Sequence, residues 1–247
     1  MMNDRKKYNI LKFSSLDSTQ TYLMSSDLSI LPEWTVVLAH EQKKGRGQIN
    51  NLWETEKGKN LTMSILLKPN FINISNQFLI TQVLSLGIYD YLKKYIQDVS
   101  IKWPNDIYIG KKKICGILVN NKLLGEEFSY SICGIGLNVN QTTFSLAPNP
   151  TSIKIELGED FDLLNVIYEL LDYIFYRYNR LKINTDIDYK KEYLSRLLNF
   201  NIWAKYLYED KSVEAKIVDV NEYGYLKLLK RDKTIIEAEL KKLKFSF

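Results

Sequence analysis

The residues best suited to chemistry fall in four short clusters. Gly45-Arg46-Gly47 lies in a stretch of about 20 residues, Glu41 to Asn60, with no clear periodicity. Loops of that length inside compact domains are usually functional or disordered. Two glycines beside an arginine let backbone N–H groups approach a phosphate while the guanidinium neutralises its charge, although the same residues also read as a solvated loop. Lys102-Trp103-Pro104-Asn105-Asp106 is followed by Lys113 at the threshold of an apolar run. A hairpin turning at Gly110 and Lys111 accounts for Lys111 and Lys112 as solvated residues. Lys113 abuts the next strand, where an inward ammonium meets an anion. Gly134-Ile-Gly136-Leu-Asn138-Val-Asn140 ends a strand with two close-packing glycines and two amides, a pattern shared with tight strand crossings. Leu16-Asp17-Ser18-Thr19-Gln20 reads by itself as a helix N-cap.

What the chain lacks narrows the chemistry. His40 is the only histidine, which excludes His-rich zinc sites and argues against a Ser-His-Asp relay, so no metal ligand set is expected. Cys115 and Cys133 both lie in apolar runs and read as small buried hydrophobes rather than a disulfide. The net charge of +5, with both signs interspersed, gives no pointer to nucleic acid or membrane. The N-terminus has no apolar signal core, and no stretch approaches the ~20 apolar residues of a membrane span, so a cytoplasmic protein is expected.

The elements that must position these clusters follow from the apolar pattern. Alternating runs predict strands at Trp34 to His40, Leu61 to Leu67, Val99 to Trp103, Lys113 to Asn120 and Phe128 to Val139. Helical spacing over Gln77 to Gln97 predicts an amphipathic helix packed on that sheet. A second helix spans Phe161 to about Leu181, capped by Asp160 or Asp162, and a third Asp186 to Leu198. After Asn199 the period changes to two. Trp203 to Tyr208, Ser212 to Val220, Tyr225 to Lys230 and Thr234 to Leu240 read as short strands separated by turns such as Glu209-Asp210. The pattern places a boundary between 1–198 and 199–247, the latter a small β-barrel.

Taken in order, Asp17-Ser18-Thr19, Glu41-Gln42-x-x-Gly45-Arg46-Gly47 with Trp53, Lys102-Trp-Pro-Asn-Asp106, Lys113 with Cys115-Gly-Ile-Leu118, and Gly134-Ile-Gly-Leu-Asn-Val-Asn140 resemble the biotin protein ligase family. Pro150-Thr-Ser-Ile153 is similar to that family's Ala-Thr-Ser-Leu segment, so the resemblance covers nearly the whole chain. It implies an α+β fold: a mixed, largely antiparallel sheet with helices on one side, of the class II synthetase-like type, followed by an SH3-like β-barrel. Only sixteen residues precede Asp17, where bifunctional members carry a winged helix-turn-helix, so a monofunctional ligase that binds no DNA is expected.

The activity implied is activation of biotin with ATP to biotinyl-5′-AMP, with Mg²⁺ on the phosphates, and transfer to a lysine of a biotin carboxyl carrier domain. By resemblance, Ser18, Thr19 and Gln42 hydrogen-bond the ureido ring, Gly116 lines the pocket, and Lys113 holds the carboxylate and then the adenylate. Gln20 and the backbone of Gly45, Arg46, Gly47 and Gln48 complete the biotin side. Arg46, Gly47, Gln48, Trp53, Lys102, Asn105, Lys113 and Asn138 resemble the ATP and adenylate side, and Trp53 reads equally as a latch that folds the loop down. Arg46 and Lys113 are the expected charge-neutralising residues, and Asp106 is a candidate base for the carrier lysine or an orienting residue for Lys102. The chain departs from the family at Gln48, Asn50 and Asn51, where many members have arginines or glycine, and at Gln20 in place of asparagine. Looser retention of the adenylate is expected, or compensation by Lys43, Lys44, Lys57 or Lys59. A lipoate or octanoate protein ligase and a non-catalytic biotin-adenylate sensor remain as alternatives, and the protein is expected to be a monomer or homodimer.

Overall fold

The computed structural model describes residues 7–48, 52–125, 127–185 and 187–246. A seven-stranded sheet runs through the first part of the chain. It comprises β1 (Asn9–Phe13), β2 (Thr35–Ala39), β3 (Leu61–Leu67), β4 (Val99–Lys102), β5 (Asp106–Ile109), β6 (Lys112–Leu124) and β7 (Glu127–Leu137). The spatial order is β1-β2-β3-β7-β6-β5-β4. Only β1 and β2 pair parallel; the other neighbours are antiparallel, so the sheet is mixed and largely antiparallel as expected.

β3 is an interior strand, buried along its whole length, and its two faces have different jobs. Side chains alternate along a strand. Ile65 and Leu67 join the main apolar core, which also holds the buried faces of α2 (Phe78–Lys93) and α4 (Leu163–Ile183). On the opposite face, Leu66 packs with Val37, Ile132 and Leu23 of the short helix α1 (Thr19–Ser25). The two long helices therefore share one side of the sheet, and α1 alone lies on the other, beside the polar residues of β3 and β7. α2 approaches α4 closely at Gly87, where a Cβ would lie 2.9 Å from the Ile174 Cα. α4 starts where Asp162 caps it, accepting from Leu164 N–H at 3.1 Å. α3 (Ile153–Leu157) is a single short turn after β7, and α5 (Tyr189–Arg196) fills the region expected to be the last helix.

The remaining strands form a second sheet: β8 (Trp203–Tyr208), β9 (Lys211–Val220), β10 (Leu226–Lys230), β11 (Ile235–Ala238) and β12 (Leu243–Phe245), in the order β11-β10-β9-β8-β12. All its pairings are antiparallel. The β8–β9 hairpin turns at Glu209 and Asp210, both with positive φ, the backbone form that matches the twist of two-residue hairpins. Among the described residues the strands pair as one five-stranded sheet, and no ladder joins β11 to β12. Its apolar face, with Ile217, Leu228 and Leu243, is continuous with the main core. Trp103 Nε1 donates to Gly224 O at 2.9 Å, and Leu198 N to Ile101 O at 2.8 Å, tying the second sheet to the end of β4.

Candidate active site

On the α1 side of the first sheet lies a cavity of about 220 Å³. Its walls contain Ser18, Thr19, Gln20, Gln42, Arg46, Gly47, Gln48, Trp53, Asn105, Asp106, Lys113 and Gly116, which are most of the residues singled out from the sequence. They arrive from four separate stretches, and local backbone pairing explains how.

The polar end is built where the long loop leaves β2. Leu16 and Gln42 form a parallel bridge, with Leu16 N donating to Glu41 O at 3.0 Å and Lys43 N to Leu16 O at 2.9 Å. That pairing sets Gln42 beside the start of α1. Gln42 Oε1 accepts from Thr19 N at 2.8 Å and from Thr19 Oγ1 at 3.1 Å, which leaves its Nε2 as a donor. Thr19 Oγ1 also lies 2.8 Å from Ser64 Oγ of β3, a hydroxyl pair buried in the wall. Ser18 acts as the N-cap of α1, accepting from Thr21 N–H at 3.4 Å, so the cap reading and the cavity reading hold together. Gln20 Nε2 donates to Leu118 O at 2.9 Å and Ile132 O at 3.3 Å, closing the wall against β6 and β7.

The floor consists of Gly116 and Gly136, direct cross-strand partners on β6 and β7. The Trp53 indole lies on this pair. A Cβ on Gly136 would come within 2.3 Å of Trp53 Cε2, and one on Gly116 within 3.0 Å of Cζ3. Trp53 Nε1 is buried and has no hydrogen-bond partner among the described residues. The loop doubles back to put the ring there: Trp53 N donates to Gly45 O at 3.0 Å, and a Cβ on Gly45 would meet Trp53 O at 2.7 Å. Gly45 thus serves the close approach of two backbone segments rather than facing the cavity.

At the cationic end, Lys113 Nζ pairs with Asp106 Oδ1 at 2.7 Å and sits 5.6 Å from the centre of the Trp53 ring. Asn105 is buried; its Nδ2 donates to Ile117 O and its carbonyl accepts from Ile117 N at 3.1 Å, locking the start of β5 onto β6. The Trp103–Pro104 bond before it is cis. The ion-pair partner of Asp106 is thus Lys113.

Two expected nucleotide-side residues lie outside the cavity walls. Lys102 is half-buried, with Nζ donating to Tyr108 Oη at 3.3 Å and resting over the Tyr108 and Phe245 rings at 5.2 and 5.3 Å. Burial pushes its ammonium below the ordinary lysine value, and Lys113 adds to this against the pull of Asp106. Asn138 is buried and donates through Nδ2 to Thr151 O at 2.9 Å, while its Oδ1 has no partner among the described residues. Asn50 and Asn51 lie outside the described residues. Of the lysines considered as compensation, Lys44 pairs with Asp17 at 3.0 Å and Lys57 with Glu41 at 4.0 Å.

Some wall residues were not picked out from the sequence. Ser64 had a visible signal, a serine inside the mostly apolar strand Leu61–Leu67. Gly134 and Gly136 carry a visible signal in their close-packing motif, which does not by itself place them in the cavity wall. Leu240, which reaches the cavity from the second sheet's connection, had none. Among the described residues no three His, Cys, Asp or Glu side chains gather to hold a metal ion, and no helix is long and apolar enough to cross a membrane.

The family model described as "Biotin/lipoate A/B protein ligase family" matches residues 13–138. The bifunctional ligase/repressor BirA of Bacillus subtilis is 32% identical over 161 residues, covering 63% of this chain and 49% of that protein. The chloroplastic biotin–protein ligase 1 of Arabidopsis thaliana is 30% identical over 164 residues, covering 60% of this chain and 44% of the relative. The chain thus spans about half the length of the curated relatives it matches. Among solved structures, the biotin protein ligase of Aquifex aeolicus in complex with biotin and ATP superposes with a TM-score of 0.77 at 27% identity, covering 96% of this chain and 98% of that one. With a match that takes in just over half of its residues, including every strand that lines the cavity, this chain belongs to the biotin/lipoate A/B protein ligase family.

Proposed function

We propose that this protein is a biotin protein ligase that converts biotin and MgATP to biotinyl-5′-AMP and passes the biotinyl group to a lysine of a carboxylase carrier domain. The observation that carries this is one cavity with two chemically different ends: the Thr19–Gln42–Ser64 hydrogen-bonding wall at one, and Lys113 with Asp106 at the other. A neutral cyclic urea suits the first end and a carboxylate the second. Ser18, Thr19 and Gln42 hydrogen-bond the ureido ring, with Gln20 behind them and Gly116 beneath.

Biotin's carboxylate is ionised at neutral pH and needs no general base to attack the α-phosphorus of ATP. The demand is for positioning and for neutralising charge as pyrophosphate leaves. Lys113 holds the attacking carboxylate near the phosphate, and Asp106 holds Lys113. Arg46, with the backbone of Gly47 and Gln48, covers the phosphate side, and Trp53 and Asn105 bound the nucleotide side. Magnesium enters as part of the substrate MgATP. In the second half-reaction the neutral amine of the carrier lysine attacks the acyl carbon, the acyl–phosphate bond breaks and AMP leaves.

The same proposal places the work in the cytoplasm, in a monomer or homodimer. Residues 1–198 form the catalytic part and 199–247 a terminal part that contributes Leu240 to the cavity. Incubation with MgATP, a biotin carrier domain and either biotin or lipoate tests it: labelling by biotin alone is expected. Labelling by lipoate alone identifies a lipoate ligase, and biotin binding without labelling a sensor.

A further inference from the structure

Glu54, the neighbour of Trp53, has a carboxylate engaged by three successive backbone N–H groups. Oε1 accepts from Ser145 at 2.6 Å, and Oε2 accepts from Leu146 at 2.7 Å and Ala147 at 3.0 Å. Consecutive amides converging on one anion form a nest, and charge-assisted bonds of this kind are roughly twice as strong as neutral ones. Partial burial pushes the Glu54 carboxyl up, but the three donors together outweigh it and hold the group below the ordinary carboxylate range.

The captured amides belong to the irregular segment between β7 and α3, and the far end of that segment is paired with Lys113. Lys113 N donates to Asn149 O at 2.8 Å, and Thr151 N donates to Lys113 O at 2.9 Å. Two further bonds run beside the Glu54 contact: Gln141 Oε1 accepts from Glu56 N at 2.9 Å and from Asn60 Nδ2 at 2.5 Å. One continuous set of contacts thus runs from the Trp53 indole on the glycine floor, through Glu54, to the backbone on either side of Lys113.

We propose that Glu54 is a positioning residue that joins the Trp53 loop to the 145–147 segment, so that both close the nucleotide side of the cavity as one unit. Glu54 makes no bond to substrate and takes no part in proton transfer. It acts through Trp53, whose ring it holds on Gly116 and Gly136, and through the segment that brackets Lys113. This rests on the ligase proposal for what the cavity binds, but not for the existence of the joint.

The test uses Glu54→Ala and the isosteric Glu54→Gln in the full chain. Hydrogen exchange of the protein alone reads the joint directly. The amides of Ser145, Leu146 and Ala147 exchange at least tenfold faster in Glu54→Ala, while those of β3 and β7 keep wild-type protection. With substrates, the biotin Kd stays within about twofold, and the KM for ATP and the rate of biotinyl-adenylate loss each rise about tenfold. Glu54→Gln, which keeps one acceptor oxygen without the charge, falls between. Wild-type exchange at 145–147 in both variants overturns the proposal, as does an unchanged ATP KM together with unchanged adenylate loss. A wild-type chain that forms no adenylate removes the ligase proposal and the nucleotide role with it, and the exchange measurement still decides whether Glu54 joins the two segments.

Discussion

Lys113 Nζ lies 2.7 Å from Asp106 Oδ1, and the two side chains meet across β5 and β6 where the strand register shifts between Ile107 and Tyr108. The shift matters because side chains alternate along a strand: one extra residue re-aims those beyond it. Without it Lys113 would stand differently relative to Asp106 and Gly116. Lys113→Ala is expected to lower biotin-dependent pyrophosphate release by about 10²-fold or more, the usual loss when one preorganised charge-stabilising group is removed. Near-wild-type release would reject the role.

Asp106→Asn separates orientation from base catalysis. An amide in place of the carboxylate leaves the Lys113 ammonium without its ion pair, so adenylate formation is expected to slow by roughly tenfold, the low end of what losing a hydrogen bond to a charged group costs. Transfer from pre-made biotinyl-adenylate to the carrier should slow less. A large loss confined to transfer would instead make Asp106 the base.

Thr19→Val removes the hydroxyl that links Gln42 to Ser64 while keeping the volume of the side chain. Gln42 then loses one of its two anchors on α1. A rise in the KM for biotin of about tenfold, with kcat little altered, is expected from one lost hydrogen bond at a buried wall. Steady-state kinetics with biotin varied at saturating ATP would measure the split.

Gly136→Ala places a methyl where the Trp53 ring now lies, and the ring must lift. Looser adenylate retention is expected, with little further change when Trp53→Ala is added, because both substitutions remove the same contact. Fully additive losses in the double variant would show that the floor and the ring act independently.

Arg177 carries the packing of the helical layer, and its loss is expected to be felt in stability rather than chemistry. From α4 it reaches Asp90 on α2 at 2.7 Å and Glu192 on α5 at 2.5 and 2.8 Å, with only 9% of its side chain exposed. Arg177→Met strands two partly buried carboxylates and should destabilise the fold by about 3 kcal/mol in denaturant unfolding. The pH dependence has a defined sign. The hydrogen bonds from Arg177 hold the Glu192 carboxyl below its ordinary value, outweighing its burial. Its stabilisation is therefore present above the ordinary carboxylate range and lost as pH falls through the lowered value. At Asp90 burial wins over the attraction of Arg177 and pushes the carboxyl up, so that group protonates earlier on acidification and opposes the fold above its raised value.

The parts of the fold carried by long apolar patterns were legible from the sequence. β3 is the expected Leu61–Leu67, β8 the expected Trp203–Tyr208, and α2 and α4 agree within a turn. β1, β5 and β12 were not anticipated as separate strands, since runs of five, four and three residues are too short for alternation to stand out. The position of α1 on the far face followed from which side of β2 and β3 its Leu23 could cover, a tertiary fact. In the site, residues sharing a motif were legible as a group, but not by direction. Asn105, Asp106 and Lys113 face the cavity, whereas Lys102 rests over the Tyr108 and Phe245 rings and Asn138 donates to Thr151 O. Leu240 and Glu54 depend on contacts with segments far away in sequence, which no local spacing encodes.

The most direct measurement is mass spectrometry of the purified wild-type protein incubated with MgATP and biotin, with pyrophosphate followed in parallel. Biotinyl-5′-AMP should appear with pyrophosphate release that requires biotin, and both should fall together in Lys113→Ala. Pyrophosphate release indifferent to biotin, or biotin bound with no adenylate formed, would contradict the assignment of this cavity to biotin activation.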